Sequence, residues 1–239
     1  MDLNNMLKEG SDQLGVDLDQ KQIAQFMKYK EVLLEWNQKM NLTAIEDDKE
    51  IIIKHFLDSI SCAKSEVIGN SGKVIDVGTG AGFPGIPLKI IFPNIELTLL
   101  DSLNKRIGFL KEVGNQLGIN DIEYVHGRAE DVGQNKNYRE KFDFAVARAV
   151  APLNILLEYC LPFVKVGGYF ICQKGSKLIE EMEESRVALK VLGGEVLKQI
   201  EVPLPFSDIS HNIVIIRKIK QTSTKYPRKA GKPSKEPIK

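Results

Sequence analysis

The segment Val74-Ile-Asp76-Val-Gly78-Thr-Gly80-Ala-Gly82-Phe-Pro-Gly85 sets four glycines within eight residues, directly after a short apolar run. Glycine lets a backbone take positive φ and lets a ligand approach the main chain without meeting a Cβ. Four glycines are more than a tight strand–helix corner requires, so the loop reads as a ligand cradle. Downstream, Asp101 closes the next apolar run, Gly127-Arg128-Ala129-Glu130-Asp131 follows a third, and Arg148 ends a fourth. An arginine in an apolar run is expensive to bury unless it is paired. It reads either as a ligand contact or as a structural partner of Glu130 or Asp76. Upstream, His55, Asp58 and Ser59 stand at i, i+3 and i+4 and share one helix face. That trio reads either as a small catalytic cluster or as a hydrogen-bonded knot that docks the N-terminal helices against the glycine loop.

Two cofactor classes fit the loop. Gly80-Ala-Gly-Phe-Pro-Gly85 satisfies the dinucleotide pattern GxGxxG, which alone is a weak signal. Gly78-x-Gly80-x-Gly82, preceded by Asp76 at the strand end, fits an S-adenosylmethionine loop better, because no pyrophosphate has to be cradled. Pro84 points the same way, since it removes an N–H donor. Asp76 stands to organise the loop and to reach a charged amino end of the cofactor. Asp101 ends the next strand, where either cofactor would place its ribose hydroxyls. The Arg128-Ala129-Glu130 turn stands where an adenine edge is read by a carboxylate and a backbone N–H; it also reads as an ordinary polar loop.

The elements that must hold these residues follow from periodicity. Residues 73–77, 96–101, 122–126, 142–147, 168–172, 195–202 and 212–218 read as strands, and 86–91, 104–117, 153–161 and 177–192 as helices. Alternation of this kind predicts a parallel sheet covered by helices on both faces. The last two strands are separated by too few residues for a crossover helix and should pair antiparallel. A seven-stranded sheet with one reversed strand is the methyltransferase variant of the fold. Residues 1–70 read as helical, with one helix capped by Asp17 or Asp19 and running to about Lys39, and a second over 49–64. Ile23, Phe26, Met27, Leu33 and Leu34 mark the first helix's apolar stripe, which Lys30 shares. The expected division is a helical extension (1–70), a cofactor-binding domain (71–219) and a basic tail (220–239).

Hydrophobic residues at 43% and charged residues at 27% describe a soluble globular chain, long enough to bury a core without staples. Residues 1–10 carry no apolar run of the signal-peptide kind, and no stretch is long enough to span a membrane. The three cysteines, Cys62, Cys160 and Cys172, form no pairing or metal spacing, so a reducing cytoplasm and a metal-free protein are expected. A net charge of +1 excludes a protein basic overall, but nine basic residues and a single acid fall from Arg217 onward, leaving residues 1–216 at −7. The tail, with three prolines and little to bury, is expected to be extended or disordered on its own and to attract a polyanion. Lys174, near a strand end, is expected to join it. On that basis, deleting 221–239 should weaken polyanion binding, flatten its salt dependence and leave cofactor affinity unchanged.

Taken together, residues 76–85, the upstream Trp36-Asn-x-x-Met-Asn41-Leu-Thr and His55-Phe-Leu-Asp58-Ser59, the Arg128-Ala-Glu130 turn, the Arg148-Ala segment and the Tyr-Pro-Arg and Gly-Lys-Pro elements of the tail resemble the RsmG family, also called GidB, the glucose-inhibited division protein B family. The resemblance covers most of the chain. It implies a Rossmann-like class I methyltransferase fold, a seven-stranded, mostly parallel sheet with the last strand antiparallel plus an N-terminal helical extension. It implies an S-adenosylmethionine-dependent enzyme acting on N7 of a guanine in 16S ribosomal RNA near the decoding region. It carries the cofactor pocket onto Gly78, Phe83, Ala129, Glu130 and Arg148, to which the residue reading adds Gly80 and Asp101.

N7 of neutral guanine has an available lone pair, so the reaction needs placement rather than a base. No catalytic residue is therefore assigned, and the knot is the favoured reading of His55, Asp58 and Ser59. Arg148 is assigned to the cofactor rather than the purine. No Asp/Asn-Pro-Pro-Tyr run for amine methylation and no Pro-Cys nucleophile for carbon methylation is present. The expected partner is 16S ribosomal RNA or the small subunit, and a monomer is the default. Competing readings are a methyltransferase on a small-molecule or protein acceptor, a nicotinamide oxidoreductase, and a cofactor-binding regulator without turnover.

Overall fold

Short β-rich runs alternate with helices along most of the chain, and this alternation builds a single sheet. Its strands are β1 (Gly72–Val77), β2 (Ile95–Asp101), β3 (Ile122–His126), β4 (Phe142–Arg148), β5 (Val164–Lys174), β6 (Gly194–Pro203) and β7 (Ser210–Lys218). The computed structural model describes residues 2–148, 151–175 and 177–239. Sheet order is β3-β2-β1-β4-β5-β7-β6. Pairing is parallel from β3 through β5, and β7 lies antiparallel to both neighbours. The short connection between β6 and β7 leaves no room for a crossover, which is why the reversal falls there. The chain therefore has the methyltransferase form of the doubly wound fold. The order reverses between β1 and β4, so their carboxyl ends open a crevice.

Side chains alternate across the sheet as period two demands. Val74, Leu97, Leu99, Val146 and Ile171 pack on one face, and Ile75, Val77, Leu100, Ala145 and Cys172 on the other. The first face is covered by the N-terminal helices α1 (Leu3–Gln13) and α2 (Gln20–Met40) through Leu7, Phe26, Tyr29 and Leu33. Asp19, not Asp17, caps α2, in a reciprocal capping box with Gln22. Lys30, on the apolar stripe of α2, reaches Asp48 at 2.8 Å. The three cysteines are free and buried, and burial pushes their thiols up, away from the reactive thiolate.

Three local expectations change. The helix expected over 49–64 is segmented: α-helical Asp48–Ile51, a π-turn Ile52–Leu57, α-helical Asp58–Ile60 and 3-10 Ser61–Ser65. The helix expected over 177–192 breaks at Ser185, whose hydroxyl bonds back to the Glu181 carbonyl at 2.5 Å. The tail is not an extended or disordered arm. Arg139 donates to the carbonyls of Thr222, Ser223 and Tyr226, and Gln134 to those of Thr224 and Pro227. Beyond that point Arg228 grips Glu158, and Gly231 N–H bonds Glu130. Fully buried Lys218 roots the strap, donating to Leu161 O and Thr222 Oγ1, and burial draws its pKa down to about 8.

Candidate cofactor site and adjoining cavity

The glycine loop turns directly off β1. Gly78, Gly80 and Gly82 have φ of 70°, 61° and 95°, a region that L side chains avoid. Gly78 and Thr79 donate their N–H groups to Leu100 O, and Gly80 N–H donates to Asp101 Oδ2 at 2.9 Å. Asp76 closes the loop from below: its Oδ2 accepts from Thr79 Oγ1 (2.7 Å) and from Gly85 N–H (2.8 Å). Its Oδ1 is buried and has no partner among the described residues. Burial pushes the carboxyl up to about 6, against the pull of the Thr79 and Gly85 hydrogen bonds and the Arg148 charge. That unpaired oxygen is sealed beneath the loop, and Asp76 lines neither of the two cavities that flank it.

Two cavities meet at Gly78. The first, about 320 Å³, is lined by Gly78, Asp101, Ala129 and Glu130, with Tyr159, Gly231 and Ser234 on its outer side. The second, about 370 Å³, is lined by Gly78, Gly80, Phe83 and Arg148, together with Thr43 and His55. The seven expected cofactor residues thus line two cavities that share Gly78, at the carboxyl ends of β1, β2, β3 and β4. Asp101 Oδ1 already accepts from Leu103 N–H, and Oδ2 from Gly80 and, at 3.3 Å, Arg106. Three of the carboxylate's four lone-pair sites are thus taken, and one on Oδ1 is left for a ligand hydroxyl. Of the cavities described, the largest, about 550 Å³, lies at the opposite strand ends, where Lys73 pairs with Glu96, Asp121 with Lys89 outside the lining, and Glu123 accepts from Thr98 and Tyr138.

Arg148 finds neither Glu130 nor Asp76. Its Nη1 donates to Asp58 Oδ2 at 2.8 Å, and its guanidinium lies 4.7 Å from the Phe83 ring centroid. Its Nη2 donates to His55 Nδ1 at 3.3 Å, so His55 carries its proton on Nε2, which donates to Thr43 Oγ1 at 2.8 Å. Burial, then the Arg148 charge, draws His55 down to about 4. The imidazole is therefore neutral, and it stacks on Phe83 at 4.7 Å. Asp58, almost fully buried, also accepts from His211 Nδ1 (2.6 Å) and Gln173 Nε2 (3.0 Å) through Oδ1. Ser59 turns its hydroxyl back to His55 O. Ala149 and Val150, beside Arg148, lie outside the described residues. The trio is a knot that ties the N-terminal helical region to β4, β5 and β7, and it also props the cofactor loop through Phe83. A third cavity, about 290 Å³, shares His55 and Arg148 with the second and extends to Gln173 and His211.

The Asp58 hydrogen bond raises the pKa of His211. A pKa raised by folding gives stability that is complete below the ordinary histidine value and fades as pH rises through the folded value. His211→Gln is expected to lower the unfolding midpoint at about pH 5.5 and to lower it less at about pH 8. Equal losses at both would show that the ring carries no charge in the pair.

Residues 22–204 match the family described as GidB, rRNA small subunit methyltransferase G. A relative named Ribosomal RNA small subunit methyltransferase G, from Alkaliphilus oremlandii (strain OhILAs), is 66% identical over 239 residues, the whole of both chains. Another of the same name, from Alkaliphilus metalliredigens (strain QYMF), is 61% identical over the same span. The chain belongs to the GidB family. The fold is shared more widely: M. jannaschii TYW2 in complex with AdoMet aligns with a TM-score of 0.51 at 15% identity, over 66% of this chain and 74% of that one.

Two features of this GidB-family chain depart from expectation. Lys174 is buried, donates to Ala151 O (2.9 Å) and pairs with Glu181 (2.6 Å), so it is committed inside the protein rather than offered to RNA. The cavities also use residues that the sequence did not assign to the cofactor: Thr43 and Gly231, which stood only within the motifs of the resemblance, and Tyr159 and Ser234. For Gly231 the sole sequence signal was the Gly-Lys-Pro element of the tail, and it could not say where the tail lands. Among the described residues no helix is long and apolar enough to cross a membrane, and no group of His, Cys, Asp or Glu is placed to hold a metal.

Proposed function

We propose that this chain transfers a methyl group from S-adenosylmethionine to N7 of a guanine in 16S ribosomal RNA near the decoding region. The observation that carries the reading is the placement of Gly78, Gly80, Phe83, Asp101, Ala129, Glu130 and Arg148 on two cavities that share Gly78, in a chain of the GidB family. When bound, S-adenosylmethionine supplies a methyl group on a sulfonium centre. In this reading Asp76 shapes the glycine loop from below, Asp101 Oδ1 receives a ribose hydroxyl, and Glu130 with the Ala129 backbone the adenine edge. Arg148 and Phe83 form the wall nearest the third cavity. No general base is needed, and His55 has both ring nitrogens already engaged. Catalysis then rests on holding acceptor and donor in line. We further propose a cytoplasmic monomer in which the helical extension 1–70 and the tail 220–239 support the domain 71–219.

The decisive experiment is transfer of label from radiolabelled S-adenosylmethionine to undermethylated small-subunit RNA, with and without its ribosomal proteins, followed by nucleoside analysis. Label in 7-methylguanosine supports the proposal; label in any other nucleoside, or none in any RNA form, sinks it.

The RNA surface follows from the tail's exposed cations. Lys225, Lys229, Lys232 and Lys235 stand on the strap beside the cleft, on an otherwise acidic body. Changing all four to Gln is expected to weaken RNA binding. The slope of log affinity against log salt should fall by about 0.7–0.9 for each phosphate that is no longer neutralised. An unchanged slope in filter binding would place the RNA elsewhere.

A further inference from the structure

We propose that the C-terminal strap is part of the cofactor site: its turn at residues 229–234 walls the nucleoside end of the cleft, and Gly231 and Ser234 are further cofactor-binding residues. The inference rests on the S-adenosylmethionine reading above and goes beyond it.

Three observations carry it. First, Gly231 and Ser234 line the same cavity as Asp101, Ala129 and Glu130. Second, Gly231 N–H donates to Glu130 Oε1 at 2.8 Å, while Glu130 Oε2 accepts no hydrogen bond from the described residues. One carboxylate oxygen is spent on fixing the side chain, and the other is left for a ligand donor. The turn takes φ of +79° at Gly231, which a glycine accommodates without strain. Third, the strap is anchored far more firmly than a solvated terminus requires. Arg228 meets Glu158 through Nε–Oε1 (2.9 Å) and Nη2–Oε2 (2.6 Å), and its backbone N–H adds a third bond to Oε1 at 2.7 Å. Glu158 is 1% exposed, and a carboxylate so buried is costly to leave unpaired. Pro233 is buried just beyond the turn. These anchors fix residues 229–234 over the cavity mouth, so a cofactor has to enter past them or with them open.

The geometry also revises the expectation that losing the tail leaves cofactor affinity unchanged: affinity should fall with it. Two full-length variants test this. Arg228→Ala releases the strap, and Ser234→Trp keeps the Arg228–Glu158 and Gly231–Glu130 anchors, gives up the Ser234 Oγ bond to Gly231 O, and places a large ring at the cavity wall. S-adenosylmethionine binding is read by calorimetry. Trypsin, which can cut after Lys225, Lys229 and Lys235 but not between Lys232 and Pro233, reports whether the strap is closed. The unaltered chain is expected to bind the cofactor and to be cut more slowly in its presence. Both variants are expected to bind at least tenfold more weakly. If Arg228→Ala proves unfolded by circular dichroism, Ser234→Trp decides alone. Affinity within threefold of the unaltered chain in the folded variants overturns the inference while leaving the cofactor reading intact. Failure of the unaltered chain to bind S-adenosylmethionine overturns both.

Discussion

Arg148→Ala is expected to abolish measurable methyl transfer and to destabilise the fold by about 3–5 kcal/mol, the usual cost of breaking a buried ion pair. The side chain is only 14% exposed and Asp58 only 3%, so solvent cannot replace the lost guanidinium. Without it, Asp58 keeps His211 and Gln173 but loses its permanent cation. Phe83 loses the charge above its ring, and the cleft wall it forms loosens. One readout separates this linkage from a general loss of packing. Arg148 helps to hold His55 down to about 4, so the His55 titration, followed by NMR, should move upward in the variant. Arg148→Lys should not restore transfer, because an ammonium cannot pair with Asp58, reach His55 and lie over Phe83 at once. A variant with wild-type stability and an unmoved His55 titration would refute the argument.

That knot also marks the limit of what the sequence could tell. The strands and the glycine loop were legible because their signals are local: an apolar run, an acid at its end, glycines where the chain must turn. Asp101 and Glu130 followed from the same logic, as residues at successive strand ends. The partner of Arg148 did not. Asp58 lies 90 residues away, and His211 lies 153 from Asp58, and nothing in a linear pattern joins them. The π-turn around His55 is equally silent, because Ile52, Phe56 and Ile60 keep helical spacing while the hydrogen bonds shift. The tail misled for a different reason. Its composition is that of a disordered segment, but its anchors (Arg139, Glu158 and Glu130) belong to the body. Local charge and proline content describe what a segment can bury by itself, not what a distant buried carboxylate can hold in place. Lys174 shows the converse: a lysine at a strand end looks free in sequence and is paired with Glu181 in the fold.

The second large effect is expected at Gly82. A Cβ there would lie 2.5 Å from Tyr29 Oη and 2.7 Å from Ile86 Cδ1, on a backbone with φ of +95°. Gly82→Ala therefore combines left-handed strain of about 1–2 kcal/mol with overpacking of about 1–3 kcal/mol, a total of about 2–5 kcal/mol. The isoleucine can rotate away, but the tyrosine cannot easily do so. Its ring is fully buried, stacked on Phe56 and Phe83, and its hydroxyl donates to Ala81 O. Tyr29→Phe alone should cost about 1–3 kcal/mol by leaving that carbonyl unsatisfied. In the double variant the oxygen that collides with the new methyl is gone, so the two losses should sum to more than the double variant shows. Urea denaturation of the four proteins closes the cycle, and strict additivity would mean that the loop and α2 are not in contact in solution. The cofactor readout should follow the same pattern. Tyr29 stacks on Phe83 at 5.3 Å, and Phe83 lines the cleft, so a methyl that drives Gly82 away from Tyr29 moves a wall of the cofactor site. Gly82→Ala should then bind S-adenosylmethionine more weakly than its stability loss alone requires, and Tyr29→Phe should recover part of that affinity.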